Sequence, residues 1–147
     1  MKQRRLWQCK KCGRHFANRN QSHACGRLDL EHHFSDKRPE IRALFDQVVA
    51  AIRTLGPVRI LPEKTRIAFQ VRMSFAQVTP RANWLDGHVV LARRFEHHRF
   101  RKVQTISPRN HVHTFRLSTG GDVDAEFCAW LAEAYAVGEQ RHIQKRI

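Results

Sequence analysis

The spacing of apolar residues changes period twice along this chain, and that change limits the fold more than any other feature. From Arg38 to Leu55, the set Ile41, Leu44, Phe45, Val48, Val49, Ile52 and Leu55 recurs at steps of three and four, the pattern of an amphipathic helix. Ser35 or Asp36 would cap it, Pro39 suits its first turn, and Gly56-Pro57 would stop it. From Thr65 to Phe75 the period becomes two. Thr65, Ile67, Phe69, Val71, Met73 and Phe75 would face inward and Arg66, Ala68, Gln70, Arg72 and Ser74 outward. Further strands are expected at Val58–Leu61, Gly87–Arg94, Arg101–Ile106 and Val112–Leu117, with turn signals at Asp86-Gly87 and Ser107-Pro108. A helix then closes the pattern between Asp122 and Gln140, its face formed by Val123, Phe127, Trp130, Leu131, Ala134 and Tyr135. Helix, strands, helix predicts an α+β domain: an antiparallel sheet of about five strands with both helices on one face. The open face would carry Arg66, Gln70, Arg72, Lys102, Gln104 and Arg116. It would lack stacking aromatics, because Phe69, Phe75 and Phe115 share the inward phase.

Ahead of that domain lie three cysteines and a histidine in two tight pairs, Cys9-x-x-Cys12 and His23-x-Cys25. Three sulfurs and one nitrogen make the ligand set of a closed, tetrahedral structural zinc site. Ten residues separate Cys12 from His23, too few for a core, so one Zn2+ would supply most of the stability of this knuckle. With four protein ligands no position stays open for water or substrate, which argues against catalytic zinc. A disulfide would need an oxidising compartment, and the opening Met-Lys-Gln-Arg-Arg carries no apolar run, which points to a cytoplasmic protein. A redox Cys-x-x-Cys would be expected between a strand and a helix, and neither is evident there. Cys128, inside the last helical pattern, reads as a small buried hydrophobe.

Charge supplies the functional direction. The chain of 147 residues carries a formal +14, with 20 Arg among its 27 basic residues, and Arg suits bidentate contact with phosphate. The distribution is uneven. Residues 1 to 27 hold eight Lys or Arg and no acid, and Arg93 to Arg116 hold seven against Glu96 alone. The closing helix reverses this, with Asp122, Asp124, Glu126, Glu133 and Glu139 and no Lys or Arg. The expected polyanion-facing side therefore joins the knuckle to the central strands, with the last helix turned away. Its candidate contacts are Lys10, Lys11, Arg14, Arg19, Arg66, Arg72, Arg94, Arg101, Lys102 and Arg116.

Ten histidines are scattered along the chain. His111 and His113 would share a strand face, where a structural or hydrogen-bonding role is preferred over metal or acid–base chemistry because no carboxylate can be placed beside them. No Walker loop, no G-x-S-x-G and no convincing nuclease core appears, and no stretch is long and apolar enough for a membrane span.

The opening Trp-x-Cys-x-x-Cys-Gly-Arg-x-Phe, Asn20-Gln-x-His-x-Cys25, Lys64-Thr-Arg-Ile-Ala-Phe69, Trp84-Leu-Asp-Gly87, Ser107-Pro-Arg-Asn-His-Val-His113 and Ala134-Tyr135 together resemble an uncharacterised bacterial family, domain of unknown function 5655. The resemblance implies a small α+β domain, found alone or attached to larger proteins, including ones linked to restriction systems. It implies no established activity. The organisation expected is a zinc knuckle at 1–27, a linker at 28–36, the α+β domain at 37–142 and a basic tail at 143–147. The reading preferred is a non-catalytic, zinc-containing basic module that binds nucleic acid or assists its processing. The alternative is a domain for a small ligand or a partner protein, possessing a pocket near Lys64, Arg66, Trp84, His111 and His113, where an enzymatic role stays open.

Overall fold

A computed structural model describes residues 5–10, 15–20 and 30–141. Near the start, β1 (Trp7–Gln8) pairs antiparallel with β2 (His15–Phe16), and the Trp7 and Phe16 rings lie 6.0 Å apart. The expected zinc knuckle is represented there by Cys9 alone, since Cys12, His23 and Cys25 lie outside the described residues.

The domain that follows is α+β, with two α-helices and a six-stranded antiparallel sheet rather than about five strands. Helix α1 (Pro39–Arg53) buries Ile41, Leu44, Phe45, Val48, Val49 and Ile52, the apolar stripe of its sequence. Its cap differs from expectation. Arg38 holds the N-cap position in an extended conformation with no side-chain cap, because the hydroxyl of Ser35 donates to the His32 carbonyl and Asp36 pairs with Lys37. Pro39 compensates in part: its φ is already helical, and it brings no orphan N–H to the first turn.

The sheet runs β3 (Arg59–Pro62), β4 (Ile67–Gln70), β5 (Ser74–Pro80) and β6 (Leu85–Leu91), then β8 (Asn110–Leu117), with β7 (Lys102–Ser107) outermost. Residues 92–101 carry the chain past the β8 position to the far edge. A two-residue turn at Pro108-Arg109 then brings β8 back between β6 and β7. The run read as one strand from Thr65 to Phe75 is thus two. The chain reverses at 71–73, where the backbone N–H groups of Arg72 and Met73 both donate to the Gly138 carbonyl, at 2.9 and 3.0 Å.

Gly138 ends helix α2 (Ala125–Gly138), so the hairpin turn caps that helix by satisfying one of its orphan carbonyls. The other end of α2 is capped by Asp124, whose Oδ1 accepts from the Phe127 N–H at 2.9 Å. That backbone bond, with Arg99 second, lowers the pKa of Asp124 below its ordinary value.

Both helices cover the same sheet face. Phe45 of α1 stacks on Phe69 with ring centroids 6.1 Å apart, and Phe127 of α2 meets Phe115 edge-on at 4.9 Å. Register places Phe69 opposite Ala76, Ala76 opposite Val89, and Gly87 opposite Phe115, all in one inward row set. Phe69, Phe75 and Phe127 are completely enclosed, and burying such a ring stabilises the fold by roughly 1.5–3 kcal/mol. Phe34, within the segment expected as a linker, belongs to this core, and Leu30 packs against it.

Asp86-Gly87 is also not a turn. It lies inside β6, opposite Arg116 and Phe115. A Cβ on Gly87 would sit 2.5 Å from the Gln77 carbonyl oxygen and 2.8 Å from Cζ of Phe115. The glycine is needed there because the Gln77 carbonyl and the Phe115 ring leave no room for a side chain.

Candidate functional site

Alternation along β8 sorts the candidate residues. His111, His113 and Phe115 face the helices, while Val112, Thr114 and Arg116 face outward. His113 is fully buried. Its Nδ1 lies 2.9 Å from the His111 carbonyl, which can only accept, so Nδ1 carries the proton and Nε2 accepts from the Phe95 N–H at 3.1 Å. Burial drives the pKa of His113 down, against the bond to the His111 carbonyl. By the same logic Nε2–H of His111 donates to the Pro108 carbonyl at 3.1 Å, and its Nδ1 accepts from the Thr105 hydroxyl at 3.0 Å. Both imidazoles hold backbone in place. In that geometry neither offers a lone pair to a metal or a substrate.

Trp84 and Arg66 lie on the opposite side of the sheet. Trp84 precedes the inward Leu85, and the Arg116 guanidinium packs over its ring 4.0 Å from the centroid. Asp86 joins the group, accepting from Nε of Arg116 at 2.9 Å and from Nε of Arg81 at 3.1 Å. Burial of Asp86 is the largest single influence and raises its pKa, yet the bonds from the two arginines outweigh it and leave the carboxyl below its ordinary value. The Trp84 indole N–H adds to that lowering without reaching hydrogen-bond geometry. Arg66 lies 3.5 Å from Glu63, and Lys64 projects from the β3–β4 turn. The five residues of the alternative pocket are therefore divided by the sheet itself, two histidines on one face and the Trp84 and Arg66 side chains on the other.

The cationic candidates divide as well. Lys10 and Arg19 are exposed, and Lys11 and Arg14 lie outside the described residues. Lys102 and Arg116 share the outward face. Arg72, expected beside them, sits at the end of α2, where its Nε donates to Oε1 of Gln140 at 3.0 Å; a cation suits a helix C-terminus. Gln70 faces outward as expected but is almost fully buried. Arg94 contacts Glu96 and the Thr105 hydroxyl. His88, outward on β6, is held down to about 4, first by burial and then by the nearby Arg66.

The acidic helix does not simply turn away from the basic stretch; it recruits part of it. Arg93 makes a bidentate pair with Glu133 at 2.9 and 3.0 Å, and Arg99 bonds Asp124 at 3.0 Å and the Asp122 carbonyl at 2.7 Å. Among the described residues ten acids sit in ion pairs, and they occupy nine Lys or Arg. Arg53, Arg59, Lys64, Arg101 and Lys102 are exposed and make no ion pair among the described residues. The cationic excess is thus not consumed inside the fold.

One concavity that sequence reasoning missed opens at the end of the sheet. A groove of about 480 Å³ lies between the 3-10 turn Leu30–His33 with its following loop, the β3–β4 turn, and the end of β5. Its walls come from residues distant in sequence, so no local motif announced it.

Among the described residues no group of three or more His, Cys, Asp or Glu could hold a metal, and no helix is long and apolar enough to cross a membrane. No curated protein and no solved structure matches the chain. The model of the family described as Domain of unknown function (DUF5655) matches residues 30–138.

Proposed function

The chain belongs to the DUF5655 family of domains of unknown function, and on that premise we propose that it is a non-catalytic, zinc-containing module that binds nucleic acid through phosphate contacts. The observation that carries this reading is the uncompensated charge. Acids are already engaged by neighbouring arginines, yet exposed cations such as Arg101, Lys102, Arg59 and Lys64 keep their charge for an external partner. A surface of that kind gains affinity by releasing the counterions condensed on a polyanion. It reads phosphate rather than base sequence.

The knuckle would add Lys10, Lys11, Arg14 and Arg19 to this surface, held in place by one structural zinc on Cys9, Cys12, His23 and Cys25. Cys9 fits that role: it is buried at the end of β1, beside a two-stranded hairpin too small to bury a core of its own.

Electrophoretic titration with duplex DNA, single-stranded DNA and RNA at two salt concentrations tests the reading. Binding that weakens steeply with salt and varies little with sequence is expected. Absence of binding at low salt would overturn it.

A further inference from the structure

The groove at the end of the sheet has the chemistry of an oxyanion site. Lys37, Lys64 and Arg81 reach its walls from three separate segments, and the hydroxyls of Thr65 and Thr79 line it. Asp36 is the one acid on its lining, and it is engaged by Lys37 at 2.9 Å. Arg81 is braced from behind by Asp86 at 3.1 Å, while Lys64 makes no ion pair among the described residues.

The telling residue is His33. It is only 9% exposed and lines the groove, and among the described residues its ring makes no hydrogen bond; the His32 ring lies 6.3 Å away. An imidazole always has at least one N–H to donate, and the His33 ring presents its nitrogens at the groove wall. The ring nitrogens are left to whatever occupies the groove. Apart from Asp36, every polar side chain there offers donors, so the complementary ligand is rich in acceptors and negatively charged. A cavity of about 480 Å³ is in the range that holds a whole organic ligand rather than a single anion.

We infer that this groove binds the phosphate group of a phosphate ester, with Lys64 and His33 as its principal donors. The phosphate can come from a nucleic-acid backbone, in which case the site rests on the reading above and deepens it, or from a free nucleotide.

Calorimetric titration of the full chain with inorganic pyrophosphate, adenosine 5′-monophosphate and a single-stranded oligodeoxynucleotide decides the matter. Lys64→Ala and His33→Phe serve as groove variants, the second keeping an aromatic ring while removing its donors. Arg53→Ala, an exposed cation away from the groove lining, serves as a charge control, and thermal melting checks each fold. Loss of one charge-assisted hydrogen bond should weaken pyrophosphate binding about tenfold in Lys64→Ala, whereas Arg53→Ala should leave it unchanged. Oligonucleotide binding weakened by the groove variants assigns the phosphate to a backbone. Binding of pyrophosphate or the mononucleotide without the oligonucleotide keeps the groove and removes the nucleic-acid reading. An oligonucleotide bound equally by the parent chain and both groove variants, with no pyrophosphate binding, removes the groove and keeps that reading.

Discussion

The backbone N–H of Phe95 donates to Nε2 of His113 across 3.1 Å, inside a cage of aromatic rings. This bond ties the 92–101 connection to β8, and it exists only while His113 is neutral. Protonation would place a second N–H where the amide already points.

Stability should therefore fall in acid. Burial holds His113 below the ordinary imidazole range, and His88 down to about 4. In the unfolded chain both titrate near 6.5. As pH drops from about 6.5 towards 4, the unfolded state takes up protons that the folded state refuses, so stability present above 6.5 is lost across that window. His88 alone should contribute on the order of 2–3 kcal/mol. Urea unfolding at several pH values checks this, and a His88→Gln chain should show a shallower decline. An equal slope would remove the assignment.

Phe69→Ala should cost roughly 3–5 kcal/mol, because the ring is completely enclosed and stacks on Phe45. Urea denaturation measures it directly. A loss below about 1 kcal/mol would mean that the core collapses around the cavity far more readily than its packing suggests.

Phe69 also marks where the pattern in the chain was informative and where it was not. Its inward phase was legible, as were the apolar faces of both helices and the turn signalled by Ser107-Pro108. The reversal at 71–73 was not. Val71, Arg72 and Met73 contain none of the residues that favour a turn through their own chemistry. The bend is closed from outside by the Gly138 carbonyl, a partner more than sixty residues away in the sequence. Asp86-Gly87 misleads in the opposite sense: a dipeptide typical of hairpin turns stays extended because it is paired on both sides inside β6. The groove was illegible for the same reason as the reversal, since Lys37, Lys64 and Arg81 meet only in the fold. Which cations remain unpaired was equally hidden, because Arg93 and Arg99 look no different from Arg101 in the sequence.

Gly87→Ala should destabilise by about 1–3 kcal/mol, the usual cost of forcing an extra methyl group into a packed site. The close neighbours are a backbone carbonyl and an aromatic ring, and neither is the free end of a flexible side chain. Pairing it with Phe115→Leu should recover part of the loss, since the contact with Cζ disappears. Thermal melting of the single and double variants reports the coupling.

One zinc should be found per chain, and Cys12→Ser should release it while leaving the core of residues 30–138 folded. The reason is thermodynamic: the knuckle depends on the metal, whereas the domain has its own hydrophobic core. Metal analysis, thiol titration and far-UV dichroism separate the two effects. Purified metal-free protein with all four thiols reactive would remove the zinc assignment.

Arg93 and Arg101 belong to the same basic stretch of the chain but differ in partnership. Replacing Arg101 and Lys102 together by Ala should weaken nucleic-acid binding and lower the salt slope by about two phosphate contacts, each contributing roughly 0.9 in log–log terms on duplex DNA. Both are exposed and make no ion pair among the described residues, so stability should change little. Arg93→Ala should do the reverse. Its guanidinium is committed to Glu133 through two bonds and packs over Phe95, 4.3 Å from the ring centroid, so its loss should lower the melting temperature modestly while the salt slope stays near the original. Replacing Lys10, Lys11 and Arg14 should lower the slope by about three contacts if the knuckle shares the surface. Equal slopes for Arg93→Ala and the Arg101/Lys102 double variant would show that only total charge matters, and that the division between paired and unpaired cations plays no part in binding.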